Sequence, residues 1–340
     1  MPTSAEITLH LSPEDGLVAV PAGPGYDWAR AVLDLAAFEE TYEGIHTLPL
    51  SDPEMARRAI DNLHIVAFRF GARVGTTDRP FIGDTARRIA QGLPGTWELA
   101  VGHLQLPHSD ARQSLDRAWS VPGGPLPVAT RSHLRDMPAA AFFSDHAGRE
   151  LVVVARPWDD TVLVGAIAPH SEFPSLDVRQ PASISAKTIP AARAQVTGRL
   201  LPSYDRALVE GHRRMLDTVL NGIREARASE GWPDLLPLAA GASQHVPYLL
   251  QHLRGSGTRP LSGQSAAALD RAEEVFGAGI PADVRRTARV LEAWLEHGTR
   301  IADMIDTLDP HLADTPPPAK TAPALPPGLP GQAAGSHPQR

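Results

Sequence analysis

The chain has 340 residues, 42% hydrophobic and 21% charged, with a formal net charge of −7 and no cysteine. That length holds two compact domains with a substantial core. The missing cysteine excludes disulfides, thiolate-bound zinc, iron–sulfur clusters and thiol nucleophiles, and the negative charge argues against a general nucleic-acid-coating role.

Met1–Leu11 lacks the basic and apolar regions of a signal peptide, and no run reaches the ~18 apolar residues of a spanning helix. The chain therefore reads as soluble and cytoplasmic, without a membrane partner. Only Lys187 and Lys320 among 32 basic residues are lysine. With abundant alanine and proline, this reads as the coding bias of a high-GC bacterium.

In chain order, Ile7, Leu9 and Leu11 alternate as a strand, and Leu17–Val20 follows after a turn at Glu14-Asp15-Gly16. Trp28, Val32, Leu35 and Phe38 recur at helical spacing. Ser51-Asp52-Pro53-Glu54 is a capping box with Ser51 as the cap, and Met55, Ala59, Ile60 and Leu63 form the stripe behind it. Ile65–Val74 reads as extended, Asp84–Gly92 as a short helix, Trp97–Leu106 as a strand and Ser109–Trp119 as a helix. Ala140–Phe143, Glu150–Arg156 and Thr161–Ala168 form a meander.

These elements predict an α+β domain over 1–175, with a mixed or antiparallel sheet and short helices. Residues 176–202 read as a basic extended linker, because Arg179, Lys187, Arg193 and Arg199 face Asp177 alone. Amphipathic periodicity over Tyr204–Ile223, Ala242–Leu253, Ser262–Phe276 and Pro281–Leu308 predicts a helical bundle spanning 203–309. Residues 310–340 are proline-rich and predict a disordered tail, with Pro323–Pro327 as a short docking motif.

Candidate chemistry is sparse. There is no G-x-x-x-x-G-K-[ST] loop, no G-x-G-x-x-G and no G-x-S-x-G elbow. His103, His108 and Asp110 have metal-ligand chemistry, and a helix cap explains them as well. Asp145, His146 and Asp160 are the catalytic candidates, each in a turn that Asp also favours on local grounds. His245 and His252, seven apart on one helix, read as surface histidines.

Arg179, Lys187, Arg193, Arg199, Arg206, Arg213 and Arg214 form a cationic strip suited to phosphate or an acidic partner. No cofactor is expected. The leading expectation is a non-catalytic interaction or scaffolding protein that docks partners, or itself, through its helical half and tail. The alternatives are a nucleic-acid accessory protein of a plasmid or phage, using residues 176–214, and a metal-dependent enzyme with its site in the N-terminal loops.

Overall fold

The computed structural model describes residues 5–106, 108–228, 236–255, 263–277 and 284–308. The proline-rich tail and its Pro323–Pro327 motif lie outside them. The fold is α+β, as the two halves of the sequence predict.

Ala5–Ser12 (β1) and Gly16–Ala22 (β2) form a hairpin. Tyr26–Leu35 (α1), Glu39–Tyr42 (β3), Ile45–Leu48 (β4), Pro53–Phe70 (α2) and Ala72–Thr76 (β5) follow. The strands make a mixed sheet ordered β3-β4-β2-β1-β5, with β5 joining β1 in parallel. Alternation sends Ala5, Ile7 and Leu9 toward α1 and α2, while Val18 and Val20 enter the core on the opposite face.

The cap of α2 is Asp52 rather than Ser51: its carboxylate accepts the backbone N–H groups of Glu54 and Met55. The helix also continues through Ile65–Phe70, where the sequence reads as extended. Ala56, Ala59, Leu63, Val66 and Ala67 make one buried stripe, and Gly71 closes the helix at φ 67°. The run is strand-like in composition but helical in period, and packing on the sheet selected the period.

Ile82–Ala90 (α3) leads into Trp97–His103 (β6), Asp110–Asp116 (α4), Ala118–Trp119 (β7) and Pro125–His133 (α5). The expected meander then appears as Ala139–Asp145 (β8), Glu150–Ala155 (β9) and Val162–Ile167 (β10), with Ile184–Ala186 (β11) at the edge. This second sheet runs β11-β10-β9-β8-β6 and is antiparallel throughout. Ala141, Phe143, Val153 and Val164 share a core with Val18, Val20 and α3, whereas Ala140, Val152 and Leu163 pack under α4 and α5.

Residues 176–202 are not an extended linker. They hold β11, Ile189–Gln195 (α6) and a π-turn at Val196–Leu200 that runs directly into Leu201–Ala228 (α7). Thr188 caps α6, and Ala192, Val196, Leu200 and Tyr204 are buried against the second sheet. Polar composition hid an apolar stripe. At 28 residues, α7 is about 42 Å long, so it starts in the sheet core and ends in the bundle. There it packs with Leu236–Gly255 (α8), Gly263–Gly277 (α9) and Val284–Leu308 (α10) around Leu216, Leu220, Val246, Leu269, Trp294 and Ile301. No helix among the described residues is long and apolar enough to cross a membrane.

Candidate functional site

The candidate metal ligands do not meet. His103 is fully buried; its Nδ1 accepts the Gln105 N–H, so its Nε2–H donates to the Pro21 carbonyl at 2.5 Å. Both ring nitrogens are occupied, and burial pushes its pKa down to about 4. His108 sits in the turn before α4 at φ 71° and offers its carbonyl to Gln113. Asp110 lies in the first turn of α4, behind the Ser109 cap. No group of three metal-ligating side chains is assembled among the described residues.

The catalytic candidates are also apart. Asp145 accepts the N–H groups of Ala147 and Arg149 and pairs with the Arg149 guanidinium, holding the β8–β9 turn. His146 is exposed in that turn. Asp160 lies at the other end of β9, roughly 20 Å away at strand rise, and faces Arg79 at 3.9 Å.

What the fold does assemble is a group no spacing rule could find. His170 follows β10, His212 lies on α7 and His245 on α8, and their ring centroids are 5.2, 5.6 and 6.4 Å apart. His245, expected at the surface, is 2% exposed and His212 is 4% exposed. The α8 face that carries His245 closes over α7. Their Nδ1 atoms are 3.0 Å apart, so one donates and the other accepts. Tyr248 stacks on His212 at 4.1 Å, and Phe173 meets all three rings. Burial lowers the His212 pKa to about 3, helped by His245 and His170, and the His245 pKa to about 4. Both rings are neutral at physiological pH.

Close approach at Gly211 makes this packing possible, because a Cβ there would collide with the Phe173 ring. Gly211→Ala is expected to cost about 1–3 kcal/mol through overpacking. Thermal unfolding checks it, with a midpoint lowered by a few degrees.

A second feature lies on the outer face of α1 and α2. Phe68 is 88% exposed and Trp28 55%, with Leu35, Ile65, Phe70 and Met55 also open. Trp28 and Phe70 rings are 5.7 Å apart, and Asn62 Nδ2 donates to the Leu35 carbonyl. The helices therefore run antiparallel, with Trp28 and Phe70 meeting across them.

No family model, curated protein or solved structure matches this chain.

Part of the cationic strip is engaged within the protein. Arg213 pairs with Asp217 and Asp306, and Arg214 faces Glu210 at 3.9 Å. Arg193 donates to the Arg88 carbonyl, the Arg179 backbone N–H bonds Glu210, and the Arg206 Nε donates to the Pro202 carbonyl. Lys187 and Arg199 are exposed, with no side-chain partner among the described residues. Arg193, Arg206, Arg213 and Arg214 lie on α6 and α7, where helical winding turns them to different neighbours.

Proposed function

We propose that this protein is a non-catalytic scaffolding protein whose working form is a dimer joined through the α1/α2 face. The observation that carries this reading is six large apolar side chains exposed on α1 and α2, two of which, Trp28 and Phe70, meet across the helices. Scattered apolar residues need no explanation; six on one helix pair, with two rings in contact, favour an interface.

Charge around the cluster favours a second copy as the occupant. On α1, Asp27 and Asp34 are exposed, Asp34 with its Oδ1 on the His46 Nε2 at 3.1 Å, while Arg30 is balanced by Glu40. On α2, Arg57, Arg58 and Arg69 outnumber Glu54 and Asp61. A two-fold axis along the helices lays α1 of each copy over α2 of the other, so opposite charges meet at both rims. This reading puts the docking surface on the sheet's helical cover, whereas the sequence points to the helical half and tail.

Light scattering of the full chain tests it. A mass of twice 36.4 kDa is expected, with Phe68→Glu plus Trp28→Ser returning the monomer at unchanged circular dichroism. A central aromatic contributes at least about 2 kcal/mol, near 30-fold in affinity. Asp27→Arg with Asp34→Arg should weaken the dimer, and Arg58→Asp with Arg69→Asp should restore it. A wild-type monomer at all accessible concentrations, or a dimer indifferent to these changes, refutes the proposal.

A further inference from the structure

A cavity of about 340 Å³ opens between α3, the β9–β10 turn and the start of α6. Its walls are apolar where Ile82, Ala155, Val162 and Ile189 approach, and its charges do not cancel. Asp159 accepts the Thr161 N–H and pairs with Arg156, which lies outside the lining. Asp160 faces Arg79, which also donates to the carbonyls of Arg156 and Pro157. Both acids are therefore compensated within the protein.

Arg88 and Lys187 are not. Both line the cavity, and neither side chain has an ion pair or hydrogen bond among the described residues. Deeper in, one helical turn before Arg88, lies Thr85. The residue is 7% exposed and lines the same cavity, and its hydroxyl, which makes no hydrogen bond among the described residues, is open to solvent there. A hydroxyl open to the cavity is free to donate to a ligand oxygen.

Lys187 adds a compositional argument. It is the one lysine among the described residues of a chain that otherwise writes its cations as arginine. A lysine ammonium is a compact charge with rotatable donors, unlike the planar arginine fork.

We propose that this cavity binds a small organic phosphate. The anionic oxygens lie between Arg88 and Lys187, one oxygen accepts from the Thr85 hydroxyl, and a short apolar body rests against Ile82, Val162 and Ile189. Charge-assisted bonds from two cations supply the affinity, and the volume is at the small end of ligand pockets. The site is remote from the α1/α2 face and does not depend on the dimer.

The test is calorimetric titration of the full chain with phenyl phosphate, and with phenol and inorganic phosphate as the separate halves. Saturable 1:1 binding of phenyl phosphate, stronger than either half, is expected. Lys187→Ala and Arg88→Ala should each weaken it about tenfold. Because both side chains are exposed, neither change should disturb the fold. Thr85→Val, which keeps shape and loses the hydroxyl, should weaken it by a smaller factor. Absence of saturable binding overturns the proposal, as does binding unmoved by Lys187→Ala and Arg88→Ala, or phenol binding as well as phenyl phosphate.

Discussion

Arg87→Ala is expected to destabilise the protein by about 3–5 kcal/mol, a large share of a domain's net stability. The Arg87 guanidinium donates to Asp84 at 2.7 Å, to Asp15 and the Tyr42 hydroxyl at 2.5 Å, and faces Glu14 at 3.2 Å. The Tyr42 hydroxyl in turn donates to Asp15, and Ser12 Oγ donates to Asp84. One arginine thus joins the β1–β2 turn, β3 and α3. Its removal leaves two mostly buried carboxylates without their cation.

The pH dependence separates lost charge from lost packing. Burial already raises the Asp84 pKa, opposed by the Ser12 hydrogen bond and by Arg87. Without Arg87, the folded-state pKa rises further above the unfolded value, so the folded state binds the proton more tightly. The deficit relative to wild type should be largest at neutral pH and shrink as pH falls through the carboxylate range. Urea unfolding of both proteins across that range measures it; a pH-independent deficit would mean packing alone was lost.

The histidine cluster should make the seam between sheet and bundle acid-labile. His212 and His245 have folded-state pKa values near 3 and 4, below the ordinary 6.5. The unfolded chain therefore takes up protons first. The stability contributed by keeping these rings neutral is complete above about pH 6.5 and is lost as pH falls toward 4 and then 3. Two such rings make the loss on the order of a few kcal/mol. His103, held near 4 by burial, titrates in the same window at a different place, so the informative quantity is a difference.

His212→Phe combined with His245→Leu removes both titrating groups while keeping a ring against Tyr248. The double variant should match wild type within packing changes at pH 7.5 and exceed it by that margin at pH 4.5. Equal acid sensitivity in the two proteins would place the labile element elsewhere.

Local signals carried much of this architecture. The strand alternation of Ile7 and Leu9, the meander from Ala140 to Ala168, the short helix after Ser109 and the four-helix periodicity after Ser203 all depend on neighbours within a few residues. They were legible for that reason. Ile65–Phe70 was misread because its composition suits either period, and only the sheet beneath α2 chose between them. Residues 176–202 were misread because polar and basic residues outnumber the apolar ones that α6 buries.

The sites divide in the same way. Asp145 and Asp160 were found as acids in turns, and turn geometry is what occupies Asp145. Asp160 and Lys187 were each singled out for separate reasons, and only the tertiary structure placed both on one cavity with Thr85 and Arg88. His170, His212 and His245 are separated by 42 and 33 residues in sequence, with no motif to join them. Short-range periodicity and capping chemistry are written into the chain itself, so the sequence alone determined most of the elements, Ile65–Phe70 and residues 176–202 excepted. Which side chains meet across loops of tens of residues depends on how sheet, α7 and α8 pack, and that was decided only by the tertiary structure.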